Sequence, residues 1–345
     1  MSEVRWGLLS TANINQALIP AIRRSKRGQL TAVASRSMPS AQEYARKWDI
    51  PLAFGNYQDM LTSGEVDAVY IGLPNHLHAE WTIQAIQAGV HVLCEKPFTI
   101  SLKEMDAVIT ASRERDILVA EAFMYRHHPQ TQIVKEWTES GKLGDTLLIQ
   151  GTFNFLMGEK NRQIDSLNVR MVPEYGGGCL WDVGIYPLSY SQFLIGGPPE
   201  WVFGSQVVGP TGVDEVFTGQ MGFKTSSGKE VLVQISSSFN SPYHTSMEIT
   251  GSKGRLLISR PFNNLEKGGS VIFIDHKDRS KKIRVPKKSL YLGEVEDLQS
   301  AILDGTTPLI SLEETRNHVL TALACYESAR SGQVIYLKDF ENRSS

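Results

Sequence analysis

The chain has 345 residues, enough for two domains that each bury a full core, and its 41% hydrophobic and 21% charged residues are those of an ordinary globular protein. With 35 basic and 37 acidic residues the net charge is -2, which gives no electrostatic reason to expect nucleic acid or an anionic membrane as partner and leaves a neutral or small polar ligand. Cys94, Cys179 and Cys325 are scattered and form no C-x-x-C pair; with no secretory leader pattern and no run of ~18 apolar residues, a reducing, cytoplasmic setting is expected.

Up to about residue 121, short apolar runs alternate with turns and helical periods. The strands expected are 4–9, 30–34, 52–54, 66–73, 91–95 and 117–121. After the first, Ile14, Ala17, Leu18, Ala21 and Ile22 make one apolar helical stripe, in which Pro20 is expected to force a kink or a break. Gly89 is placed to end the helix before strand 91–95, and Ser101 and Glu104 have capping-box spacing. This alternation predicts an α/β fold with a doubly wound parallel sheet over residues 1–125.

From residue 145 strands dominate: 147–155, 201–208, 215–223, 230–238, 254–259 and 271–275, mostly β-branched or aromatic and separated by Gly, Pro, Asn or Ser turns. Short connections predict an antiparallel sheet, with a helix over 178–195 on one face and the other face open to a second subunit. Helices over 294–303 and 312–330, a strand at 334–337 and a frayed tail from 339 complete a second domain spanning 126–345.

The first turn, Ser10-Thr11-Ala12-Asn13-Ile14, has serine and alanine where a dinucleotide fingerprint has glycine. Alone it reads as an ordinary strand-to-helix turn. Its small residues still let a pyrophosphate approach a helix N-terminus, and the Ser10 and Thr11 hydroxyls add donors. Strand two ends in Ser35-Arg36, where an acid would bind a ribose 2′-hydroxyl; serine and arginine suit a 2′-phosphate, so NADP is favoured and NAD is the other candidate. Leu73, Pro74 and Asn75 are placed to wall the nicotinamide, with His78 just beyond, and Glu95-Lys96-Pro97 close the fifth strand at the same edge. His76 and His78, and adjacent His127 and His128, lack acidic or cysteine neighbours, so no metal is expected.

Gly176-Gly177-Gly178 lets the backbone pass close to something and then opens the helix that carries Asp182 and Tyr186. Four residues apart, those side chains share a face if Asp182 lies within the helix, where a lysine can join them. Lysine, carboxylate and phenol suit proton transfer during a hydride reaction: Tyr186 exchanges the proton, Lys96 lowers the pKa of the phenol, and Asp182 orients a substrate hydroxyl or the lysine. Asn168 and Arg170, just ahead of the glycines, and Tyr125 and Arg126, after the sixth strand, are the further substrate-binding candidates. Gly251-Ser252-Lys253-Gly254 reads as a hairpin turn, and the basic run 281–288 as a strand edge protected by lysines.

In Glu95-Lys96-Pro97, the Gly176 to Tyr186 segment, and Glu121 with Tyr125-Arg126-His127-His128-Pro129, the chain resembles the glucose-fructose oxidoreductase, inositol dehydrogenase and rhizopine catabolism (Gfo/Idh/MocA) family over nearly its whole length. The resemblance implies an N-terminal Rossmann domain followed by an α/β domain with a large, mainly antiparallel open sheet, used for a homodimer or a dimer of dimers. It implies hydride transfer between a nicotinamide and a hydroxyl-bearing carbon, with Lys96, Asp182 and Tyr186 at the catalytic positions. Tyrosine at 186 and the Ser-Thr-Ala turn resemble the branch of glucose-fructose oxidoreductases, NADP-dependent aldose 1-dehydrogenases and dihydrodiol dehydrogenases. The expected reaction is oxidation of an aldopyranose such as xylose or glucose at C1. The alternatives are a trans-dihydrodiol, a keto-sugar reduced in the cell, or, in another class, an NADP-sensing regulator without turnover.

Overall fold

The computed structural model describes residues 2–162, 168–263 and 269–344. In its first part β1 (Val4–Leu9) leads into α1 (Asn15–Arg24), β2 (Gly28–Ala34) into α2 (Met38–Trp48), and β3 (Leu52–Phe54) into α3 (Tyr57–Leu61). Then β4 (Ala68–Ile71) leads into α4 (His78–Gln87), β5 (His91–Glu95) into α5 (Leu102–Arg115), and β6 (Val119–Ala122) closes the series. These strands pair in parallel in the order β3-β2-β1-β4-β5-β6. Strand order reverses between β1 and β4, and ligands of such sheets bind beyond the carboxyl ends at that point. Both sheet faces are buried, Leu9, Val69, Ile71 and Val92 in one core and Trp6, Leu8, Val33 and Tyr70 in the other, which is why these strands read as continuous apolar runs.

The chain continues with α6 (Pro129–Glu139), β7 (Thr146–Leu156) and α7 (Ile185–Ile195), then β8 (Trp201–Val208), β9 (Asp214–Lys224) and β10 (Glu230–Ser238). After β11 (Asn240–Gly251), β12 (Gly254–Ser259), β13 (Ser270–Asp275) and β14 (Ser280–Ile283) come α8 (Leu292–Asp304), α9 (Leu312–Ser331), β15 (Ile335–Tyr336) and α10 (Leu337–Ser344). The second sheet has the order β14-β13-β12-β11-β7-β10-β9-β8-β15. Alternation along it is one-sided: Ile149, Val231 and Val233 are buried, while Gln150, Leu232 and Gln234 are exposed. A Cβ on Gly151 of β7 would lie 2.5 Å from Pro187 Cβ, which sets how closely α7 covers the inner face.

Several expectations are corrected. α1 runs unbroken through Pro20, because Pro20 and Gln16 are exposed and the carbonyl that loses its helical donor can face water. The second sheet is mainly antiparallel as expected, except that β7 and β10 pair in parallel, since they are joined by α7 and two intervening strands, not by a hairpin. The tail expected to fray forms α10. The domain limits also differ. One compact unit runs to His127 and takes back Ser289–Arg316, and the other holds His128–Lys288 and the chain from Asn317. Helix α8 belongs to the first because Val295 and Leu298 pack in one core with Val4, Trp6, Leu18 and Ile22.

Candidate active site

In the first unit, the turn after β1 is built on Ser10, whose φ of 145° lies where glycine is favoured. The strain is held by three hydrogen bonds: Ser10 Oγ donates to the Gly72 carbonyl (3.2 Å), the Ala12 N–H donates to Ser10 Oγ (3.3 Å), and Asn15 Nδ2 donates to the Ser10 carbonyl (2.8 Å). A Cβ on Gly72 would come within 3.1 Å of Ile14 Cγ2, so glycine there lets the β4 end reach this turn. Helix α1 begins with no side-chain cap and no acid in its first turn, leaving its positive end to an anion. At the end of β2, Ser35 is nearly enclosed, whereas Arg36 is exposed and makes no hydrogen bond or ion pair among the described residues.

The Glu95-Lys96-Pro97 turn is held from three sides. Tyr70 donates its hydroxyl to Glu95 Oε1, and the Lys96 N–H donates to Glu95 Oε2 at 3.3 Å. Glu121, buried at the end of β6, accepts from the Phe98 N–H at 3.1 Å. On the third side His78 lies between two carbonyl oxygens, Nδ1 2.9 Å from that of Pro97 and Nε2 2.8 Å from that of Leu73. Burial pushes the His78 pKa down to about 4, against the pull of both carbonyls, so the ring is neutral at pH 7. Leu73, Pro74 and Asn75 stay half-buried at the end of β4, as does Lys96 at the end of β5.

The second unit holds the other candidates. Gly176 (φ 74°) and Gly178 (φ 117°) take conformations that disfavour side chains. A Cβ on Gly177 would lie 2.7 Å from the carbonyl oxygens of Arg170 and Val172, and one on Gly178 would overlap Asp214 Oδ1. The folded loop is closed by the Gly177 N–H donating to the Val172 carbonyl and the Gly178 N–H to the Arg170 carbonyl, at 3.0 and 2.9 Å. Leu180–Gly184 then forms a π-helical turn that runs into α7. The expected α-helical Asp182 is therefore π-helical; at the wider pitch, residues four apart still emerge on neighbouring directions. Arg170 Nε donates to Asp182 Oδ2 at 2.7 Å, and Asn168 Oδ1 accepts from the Arg170 N–H at 3.1 Å. Tyr186, 6% exposed, packs against Phe153 and Phe262 with ring centroids 5.4 Å away.

Asp214, at the start of β9, went unsuspected in the sequence. Its Oδ2 accepts from the Leu180 N–H (2.8 Å) and the Cys179 thiol (3.1 Å), and its Oδ1 from the Tyr326 hydroxyl (2.8 Å). Burial pushes its pKa up to about 6 despite these donors. It anchors the entry to the π turn, and nothing in its local sequence marks it, since its partners are 34 residues or more away.

Three assignments are corrected by burial and partners. Arg126 is 1% exposed and pairs with Glu314. Tyr125 is fully enclosed, edge-on to Phe123 at 5.6 Å. Neither presents surface to a substrate. His78 is likewise fully buried with both ring nitrogens on backbone carbonyls, so it braces turns and does not touch a cofactor.

Comparison with known proteins gives one consistent answer. Residues 4–123 match the family model described as an oxidoreductase family with an NAD-binding Rossmann fold, and residues 131–257 match the Gfo/Idh/MocA C-terminal domain. A D-xylose 1-dehydrogenase (NADP(+)) of Haloferax volcanii is 32% identical, covering 96% of this chain and 99% of its own. A trans-1,2-dihydrobenzene-1,2-diol dehydrogenase of Danio rerio is 31% identical over 64% of this chain and 65% of its own. A crystal structure of a 3-ketoreductase from Actinomadura kijaniata, in complex with NADP and TDP-benzene, is 27% identical with a TM-score of 0.83, covering 96% of this chain and 98% of that one.

Proposed function

The chain belongs to the Gfo/Idh/MocA oxidoreductase family, and from that premise we propose that it is an NADP-dependent sugar dehydrogenase whose preferred reaction is oxidation of an aldopyranose of the xylose or glucose type at C1. The observation that carries this reading is the pairing of Asp182, held by Arg170, with Tyr186 on consecutive turns of one buried helix. A carboxylate and a phenol so fixed can orient and deprotonate a sugar hydroxyl. The 32% identity to a D-xylose 1-dehydrogenase across nearly both chains supports the sugar class.

The residues present fit NADP. The strained Ser10 turn, with Thr11 to Ile14, and the uncapped start of α1 would take the pyrophosphate. Exposed Arg36 with Ser35 would take the 2′-phosphate, and Leu73, Pro74, Asn75 and the Glu95-Lys96-Pro97 turn the nicotinamide end. When bound, the nicotinamide supplies a two-electron acceptor. Tyr186 takes the hydroxyl proton as the C1–H bond gives up its hydride, and the carbon becomes the carbonyl of a lactone. Lys96 has the role of the ammonium that stabilises the Tyr186 phenolate, and Asp182 that of orienting the substrate hydroxyl. In reverse, Tyr186 is the acid. A homodimer or a dimer of dimers through the sheet face that exposes Phe203 and Leu232 completes the proposal.

The test is a panel of D-xylose, D-glucose and a trans-dihydrodiol with NADP and with NAD, together with NADPH oxidation by a keto-sugar nucleotide. Sugar-dependent reduction of NADP ahead of NAD is expected. Tyr186→Phe should lower turnover about a hundredfold or more while NADPH binding is kept; unchanged turnover removes Tyr186 from the mechanism. Tight NADPH binding with no turnover by any member favours the regulatory alternative.

A further inference from the structure

We propose that His78 is a positioning residue for Lys96, its neutral ring donating its one N–H, at Nδ1, to the Pro97 carbonyl of the lysine-bearing turn. The inference rests on the proposed role of Lys96 in proton transfer. Its structural basis is separate from that role and lies wholly within the first unit.

The turn after β5 has to hold a long, flexible side chain to a narrow set of positions, because a misplacement of about 1 Å at a reacting group can cost a hundredfold in rate. Two of its three anchors act on residues flanking Pro97: Glu95 holds the Lys96 N–H at 3.3 Å, and Glu121 holds the Phe98 N–H at 3.1 Å. Pro97 itself has no N–H, so its carbonyl is the group left through which the turn can be held at that residue. His78 Nδ1 stands 2.9 Å from that oxygen. The ring is fully enclosed and sits on the first residue of α4, so it moves only with the helix. Its other nitrogen lies 2.8 Å from the Leu73 carbonyl and, without a proton in the neutral ring, marks where the ring is packed against the segment that carries Pro74 and Asn75 but adds no bond. One side chain, bonded to one turn and packed against the other, thus sets the spacing between two turns that both face the carboxyl edge of the sheet.

The two nitrogens can be tested one at a time, because an asparagine amide reaches the place of Nδ1 and a glutamine amide that of Nε2. His78→Asn, His78→Gln and His78→Leu are compared in the full chain with NADP bound, by hydrogen exchange over residues 94–99 and by turnover in the panel above. The expected result is exchange faster by about tenfold in His78→Leu and His78→Gln, with His78→Asn losing least, and kcat falling in the same order while the KM for NADP moves less than about threefold. Equal exchange over 94–99 in all three variants and the parent overturns the proposal, as does a loss that tracks thermal stability with no preference for asparagine. Lys96→Met provides the separate control. If it leaves turnover unchanged, the role proposed for Lys96 fails while the exchange result still decides whether His78 holds the turn.

Discussion

The turns after β1 and before the π-helical turn meet the same demand, close approach of backbone to something else, by opposite means. The first has no glycine at its strained position: Ser10 sits at φ 145° and is held there by bonds through its own Oγ and carbonyl. The second spends three consecutive glycines, and at Gly178 a side chain is excluded by the Asp214 carboxylate itself. In the first case space exists and only conformation is strained, which costs about 1–3 kcal/mol and can be offset by hydrogen bonds. In the second the volume is already occupied by a buried group that anchors the next helix, and no bond made by a side chain could compensate.

Breaking the second turn should therefore have the larger effect. Gly178→Ala forces a Cβ onto Asp214 Oδ1 at a φ that alanine disfavours, and a loss of about 4 kcal/mol or more is expected in urea unfolding, with turnover lost along with the π turn. Next in size is the pH response of the anchor. Asp214 has a folded pKa raised to about 6 from 3.8, so between those values the folded state keeps a proton that the unfolded chain has released. Its contribution to stability is full below pH 4 and is lost as pH rises through 6, an amount of about 3 kcal/mol. Unfolding of the parent and of Asp214→Asn at pH 4, 5, 6 and 7 should show the parent losing that much relative to the variant; parallel curves would mean that the carboxyl titrates normally. The smallest effect belongs to the first turn. Ser10→Gly removes strain and hydrogen bonds together and should stay within about 1 kcal/mol of the parent, whereas Ser10→Ala keeps the strain and should lose about 1–2 kcal/mol. Equal losses in the two variants would show that the Oγ bonds, not the φ angle, govern this turn.

The strands of the first sheet were legible because each is buried on both faces and reads as an apolar run. β11 was not. Its first half, Asn240-Ser241-Pro242-Tyr243-His244, is polar and contains a proline, and the structure answers with a register shift between Asn240 and His244 against β7. The twelve-residue strand exists because β7 and β12 pair with it on either side, which local sequence does not encode. The site shows the same division. Lys96, Asp182 and Tyr186 stand in motifs with their own turn chemistry and could be named at once. Asp214 is one of 37 acidic residues, and Arg126 looked like a ligand-binding arginine until Glu314 was seen beside it.

Sequence by itself determined the periodicities that make a doubly wound sheet, the glycine requirement at 176–178, the acid-free turn at Ser35-Arg36, and the residue types that suit hydride chemistry, because these depend on contacts within a few residues. Only the tertiary structure decided that β7 and β10 run parallel, that α8 returns to the first unit, and that His78 faces backbone and not ligand. It alone showed that a buried carboxylate 34 residues from Leu180 caps the start of the π turn. Those outcomes depend on which distant groups meet in a packed interior, where the cost of leaving a polar atom without a partner selects one arrangement from the many that local pattern allows.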